Sequence, residues 1–119
     1  MQVLTSRENA KIKQYIKLTS GKQARKKSGL FTIEGVRLCE EACKNGVGLV
    51  SCFITKRCAE NNPRLFERLL SLCDDCSYVS DELEAKMSDT QTPQGVFCIC
   101  RMKAPLSIEQ VLSKNRVIA

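Results

Sequence analysis

LFTIEGVRLCEEACK, residues 30–44, reads as a strand that stops at a glycine and turns directly into a helix. Leu30 to Ile33 are apolar or β-branched, Glu34-Gly35 ends the run, and Val36, Cys39, Ala42 and Cys43 then fall on one side of a helix that reaches Lys44. Asn45-Gly46 closes that helix. The same alternation recurs downstream. Leu49 to Thr55 predicts a second strand, and Asn62-Pro63 opens a helix with Leu65, Phe66, Leu69 and Leu70 along its buried face. Ser77 to Val79 is a short strand, and Asp81 to Met87 a short helix opened by Ser80 or Asp81. The polar loop Ser88 to Gly95 leads into the strongest strand, Val96 to Met102. Ser107-Ile108-Glu109-Gln110 has the pattern of a capping box and starts a helix to about Ser113. Strands separated by single helices predict an α/β fold, a sandwich with a partly parallel sheet.

Upstream, residues 8–19 place Ile12, Tyr15 and Ile16 on one face of a short helix and Lys11, Lys13 and Lys17 around the rest. Thr19-Ser20-Gly21 breaks it, and a second basic stretch runs from Lys22 to Lys27 and stops at Ser28-Gly29. The 119 residues carry 19 Lys and Arg against 13 Asp and Glu, a net charge of +6. The distribution matters more than the total. Residues 1–27 hold eight basic side chains and one acid, so all the excess charge sits in the first quarter and points at a polyanionic partner.

There is no histidine, which excludes a Ser-His-Asp triad, a Cys-His pair and any imidazole-ligated metal within this chain. No apolar run approaches the roughly 18–20 residues of a membrane span, and no basic-then-apolar leader opens the chain. Eight cysteines are many for this length. Most sit where a small apolar residue would serve, so reduced, buried cysteine in a cytoplasmic protein is the expectation. Cys73-Asp74-Asp75-Cys76 alone has metal or redox spacing. Zinc would need two more thiolates brought close by the fold, and Cys98 with Cys100, taken as pointing to opposite faces of a strand, is expected to be a poor chelating pair. No metal ligand is therefore expected. Glu40-Glu41 and Asp74-Asp75 read as solvated faces, and no Gly-rich phosphate loop is present.

Two segments hold polar groups beyond what a fold requires. The basic block can neutralise phosphates through Lys13, Lys17, Arg25, Lys26 and Lys27. The loop DTQTPQGVF, residues 89–97, contains Thr92-Pro93-Gln94-Gly95, which fits a type I turn. Its hydroxyls and amides suit 2′-hydroxyls, phosphates or base edges. Glu34-Gly35-Val36-Arg37 offers an ion pair or a further RNA contact. Aromatic residues are sparse, so recognition of structured RNA by shape fits better than stacking on single strands.

SGLFTIEGVRLCEEA (28–42), TSRENAKIKQ (5–14) and MSDTQTPQGVFCI (87–99) together resemble the amino-terminal substrate-binding domain of SpoU/TrmH-type RNA 2′-O-ribose methyltransferases. The resemblance implies a three-layer α/β/α sandwich with a mixed sheet, similar to the small ribosomal proteins that bind kink-turn RNA. It implies that Arg7, Asn9, Lys11, Arg25, Glu34, Arg37, Thr92 and Gln94 contact substrate RNA, expected to be ribosomal, or shape the surface that does. In that family a knotted catalytic domain follows, binds S-adenosylmethionine and forms a homodimer. Residues 1–29 would then be a basic helical segment and 30–115 the α/β core. Arg116-Val117-Ile118-Ala119 would open the knotted domain, leaving this chain with no cofactor and no activity of its own. The alternative is a standalone structured-RNA-binding protein.

Overall fold

A computed structural model describes residues 1–102. The helix expected over 107–113 and the strand expected over 116–119 lie outside the described residues. In chain order the elements are β1 (Val3–Leu4), α1 (Ala10–Ser20), α2 (Lys22–Ser28), β2 (Leu30–Glu34), α3 (Val36–Lys44), β3 (Gly48–Ile54), α4 (Lys56–Asn61), α5 (Pro63–Leu72), β4 (Cys76–Val79), α6 (Asp81–Met87) and β5 (Val96–Arg101). The strands form one mixed sheet in the order β1-β4-β3-β5-β2. β1, β4 and β3 are parallel to one another, and β5 runs antiparallel to both β3 and β2.

Strand side chains alternate between faces, and β5 shows how this builds three layers. Val96, Cys98 and Cys100 join a core with Cys39 of α3, Cys58 of α4 and Leu65 and Leu69 of α5. Phe97 and Ile99 face the other way, into a core with Ile12, Tyr15 and Leu18 of α1 and Leu83 and Met87 of α6. On that second face Tyr15 meets Phe53 and Phe97 edge-on, with ring centroids 6.0 and 5.5 Å apart. Edge-to-face contacts fix ring orientation beyond what burial alone does. Burial also raises the Tyr15 phenol above its ordinary pKa, and the nearby Glu34 charge adds to the effect.

The α/β/α layering follows the sequence reading, with local corrections. Residues two apart on a strand share a face, so Cys98 and Cys100 lie in the same core and not on opposite sides. Leu70 is 45% exposed, because it lies beyond the buried stripe that Leu65 and Leu69 define on α5. β1 and α4 went unread. β1 is two residues long, and α4 has six residues, opened by the Thr55 hydroxyl accepting the Cys58 N–H at 3.1 Å. No helix among the described residues is long and apolar enough to cross a membrane.

Candidate functional site

Because β5 is antiparallel to its neighbours, its amino end meets the carboxyl ends of β2, β3 and β4. In open α/β sheets this end is where ligands bind, since the loops and helix amino termini converge there. Here Gly35, the first residue after β2, donates its N–H to the Val96 carbonyl at 2.9 Å, and Thr55 N–H donates to the Gly95 carbonyl at 2.8 Å. The loop 88–95 is thereby laid across the ends of β2 and β3.

Side chains then pin that loop. Glu34 accepts from the Ser88 hydroxyl and from the Asp89 N–H, the latter at 3.1 Å. The Ser88 hydroxyl accepts the Thr90 N–H at 3.1 Å, and the Thr90 hydroxyl accepts the Thr92 N–H, also at 3.1 Å. Gln94 Oε1 accepts the Val36 N–H at 2.7 Å and so caps α3 from outside its own segment. The expected type I turn is not closed by a backbone bond from Gly95 to Thr92 among the described residues; these side-chain bonds replace it.

Two glycines make the arrangement possible. Gly35 has φ +105° and lies against Gln94. Gly95 has φ +83°, and a Cβ there would stand 2.4 Å from Thr55 Oγ1 and 2.9 Å from Glu84 Oε2. Behind it, buried Glu84 accepts from exposed Arg57 at 3.2 and 3.3 Å. The result is an open cleft of about 250 Å³ lined by Glu34, Gly35, Arg37, Leu38, Thr90, Thr92 and Gln94. Four nominated side chains, Glu34, Arg37, Thr92 and Gln94, therefore share one site. It offers a guanidinium, hydroxyls and amides, groups that hydrogen-bond sugar and phosphate, and holds no pair arranged for acid-base chemistry.

The basic residues divide by local task. Asn9 Oδ1 caps α1 by accepting the Lys11 N–H at 2.9 Å. Arg25 reaches back to the carboxyl end of α1, donating to the Leu18 and Thr19 carbonyls at 2.6 and 3.2 Å. Lys11 pairs with Asp75, which also accepts from the Ser51 hydroxyl at 2.7 Å. Partial burial alone would raise the Asp75 pKa, but these two donors hold it below the ordinary carboxylate value. Asp75 is thus an anchor and not the solvated acid its sequence suggests. Lys13 pairs on the surface with Glu8 at 3.0 Å. Arg7, Lys17, Lys26, Lys27 and Arg37 are exposed, and no ion pair involves them among the described residues. Lys17 and Lys27 border a groove of about 420 Å³ between α1 and α2, with Gln14 and Gln23.

Sequence reasoning missed Lys56 and Arg57, which with Ser80 and Asp81 line a further cavity of about 320 Å³ at the same end of the sheet. The available signal was Thr55-Lys56-Arg57 at the end of a strong strand, a helix cap followed by two cations.

The family described as the MRM3-like substrate binding domain matches residues 9–98. An uncharacterised tRNA/rRNA methyltransferase of Synechocystis is 35% identical over 99 residues, covering 83% of this chain and 36% of that protein. The 23S rRNA (guanosine(2553)-2′-O)-methyltransferase RlmP of Bacillus subtilis is 31% identical over 102 residues, covering 86% of this chain and 38% of that protein. A crystal structure of an RNA 2′-O ribose methyltransferase superimposes with a TM-score of 0.71 at 26% identity, covering 88% of this chain and 39% of that one. The chain thus spans little more than a third of the length of the curated relatives it matches. With the α/β/α sheet and the loop laid across its strand ends, these matches place the chain in the MRM3-like substrate binding domain family, the domain that SpoU-type RNA methyltransferases carry.

Proposed function

We propose that the chain is the RNA-recognition domain of an S-adenosylmethionine-dependent 2′-O-ribose methyltransferase acting on ribosomal RNA. The observation that carries this is the family match over residues 9–98, which contains the whole cleft at the strand carboxyl ends. The exposed cations Lys17, Lys26 and Lys27 neutralise phosphates, while Arg37, Thr92 and Gln94 meet the sugar-phosphate edge of a structured RNA. Glu34, Asn9, Lys11 and Arg25 shape those surfaces through the bonds described above. Arg7 and Lys13 extend the basic face.

In this reading the chemistry lies elsewhere: a catalytic domain beyond residue 119 binds the cofactor, dimerises and methylates a ribose hydroxyl, and the protein works in the cytoplasm. Residues 1–29 form the basic helical segment, 30–115 the core and 116–119 the first strand of that next domain. The test is binding of the chain to structured ribosomal RNA fragments across a salt series. With about five phosphates neutralised, log K against log salt should fall with a slope of roughly −3.5 to −4.5. A flat salt dependence would sink the reading. A stop codon directly after Ala119 in the source gene would leave the standalone RNA-binding alternative.

A further inference from the structure

The cysteines are not scattered through the core. Cys76 on β4 and Cys98 on β5 are each in register with Cys52 on β3, so three thiols stand in a row across adjacent strands. Directly opposed residues on one sheet face stand about 5 Å apart at Cβ. The row faces the layer formed by α3, α4 and α5, and Cys73, just past the end of α5, adds its sulfur. The Sγ atoms of Cys52, Cys73 and Cys76 all lie within 4.8 Å of one another. Cys98 Sγ is 3.4 Å from Cys52 Sγ and 3.6 Å from Cys39 Sγ.

We propose that Cys52, Cys73 and Cys76 form a three-thiolate site for one thiophilic d¹⁰ cation, zinc or cuprous copper. Thiolate sulfur binds zinc at about 2.3 Å, so three sulfurs around one ion stand roughly 3.8–4.0 Å apart. The observed triangle needs only small side-chain rotations to close to that size. Its ligands are a two-spaced pair, Cys73-Asp74-Asp75-Cys76, and a residue on a central strand, which supplies a rigid third vertex. Competing bonds are weak: the Cys76 thiol donates to the Cys73 and Leu69 carbonyls at 3.4 and 3.5 Å, and the Cys73 thiol to the Asp75 carbonyl at 3.7 Å.

The donor set selects a soft ion. The nearby carboxylate of Asp75 is already engaged by Lys11 and Ser51, which leaves sulfur alone, and hard cations such as magnesium and calcium require oxygen. Cys76 and Cys98 flank Cys52 on opposite neighbouring strands, and the set of sulfurs lying within 4.8 Å of one another takes in Cys76 but not Cys98, so one ion does not take both. Cys98 instead donates its S–H to the bound Cys52 sulfur, as outer groups around metal ligands commonly do. Cuprous copper would rest at three sulfurs, whereas zinc would add one ligand from solution beside half-buried Cys76.

The experiment uses the fully reduced 119-residue chain with zinc alone, or cuprous ion alone, followed by native mass spectrometry and chelator competition. One ion per chain is expected, with a dissociation constant on the order of 1 µM or tighter. Cys73→Ser and Cys76→Ser should each weaken it by more than about 100-fold, the upper end of what loss of a mere outer partner costs, while Cys43→Ser, whose sulfur lies outside the triangle, should leave it unchanged. Circular dichroism checks that each variant is folded. Cobalt, as a visible reporter in the zinc arm, would show four-coordinate bands, and retention of cuprous ion alone would identify the three-coordinate form; either supports the site. Failure to retain either metal, or wild-type affinity in folded Cys76→Ser protein, would overturn it. The result is independent of RNA binding, so the two readings stand or fall separately.

Discussion

The cleft at the ends of the strands and the basic face of α1 and α2 are built on opposite terms. The cleft is a cross-linked object, in which Glu34, Ser88, Thr90, Gln94 and two glycines hold a loop against the sheet. The basic face is a set of solvated charges whose backbone is fixed by Asn9 and Arg25 and whose outermost lysines touch nothing acidic among the described residues. The first region encodes shape, and the second encodes charge density. Mutations should therefore damage stability and binding together in the cleft, and binding alone on the basic face.

The largest expected effect is at Gly95. Gly95→Ala combines a positive φ with a Cβ pressed against Thr55 and Glu84, and should cost about 3 kcal/mol. Chemical denaturation measures it, and a loss under roughly 0.5 kcal/mol would show that the loop is not pinned as described.

Next comes the basic face. Replacing Lys17, Lys26 and Lys27 with Gln should leave stability within about 0.5 kcal/mol yet flatten the salt dependence of RNA binding by roughly 2 to 2.7 in log-log slope. An unchanged slope would mean that these lysines are not at the RNA. Arg25→Gln is the internal contrast: it removes two bonds to α1 carbonyls, so it should also lower stability by about 1 kcal/mol.

Gln94 separates the two terms within one residue. Gln94→Ala removes the acceptor for the Val36 N–H and should cost about 1 kcal/mol. Gln94→Glu keeps that acceptor and puts a negative charge at the helix amino end, so the fold should hold while RNA binding weakens. If both variants bind RNA like the parent, the cleft is not part of the interface.

The smallest effect belongs to Asp75. Its pKa is lowered in the fold, chiefly by Lys11 and Ser51 acting against partial burial. Its contribution is therefore present above the unfolded carboxylate value near 3.9 and disappears as pH falls through the lower folded value. Asp75→Asn should remove that acid-side dependence and cost under about 1 kcal/mol, since the pair is partly solvated. A wild-type and variant difference that stays constant as the pH falls from neutral through the acid limb of the stability curve would contradict the assignment.

Elements with strong periodicity were legible from the chain alone. α3 and α5 carry apolar stripes, and β5 is an unbroken apolar run between a polar loop and Arg101. α4 escaped because six residues give too little repeat to register, and β1 because two residues give none. For the site, Glu34, Arg37, Thr92 and Gln94 could be nominated as polar groups in excess of need, but their meeting in one cleft depends on β5 pairing with β2. Local sequence carries no record of that partnership. Nor could it show that Arg25 and Lys11 have intramolecular partners, since each lies far along the chain or on another element. The cysteine row is the same lesson: register between strands is a long-range property, and Cys52 and Cys98 are 46 residues apart.

The position of β5 in the sheet also governs how the chain can be made. β2 is complete by residue 34, yet its one strand neighbour among the described residues spans Val96–Arg101, and the same strand supplies β3 with its antiparallel partner. During synthesis, β2 waits without that partner while about sixty further residues are added, and one edge of β3 while about forty are. β1, β4 and β3 have all their mutual pairings available once Val79 is made, whereas β2 and the other edge of β3 do not. The sheet therefore closes in two stages, and protease resistance of arrested nascent chains should make its second rise only once residue 101 has cleared the ribosomal tunnel.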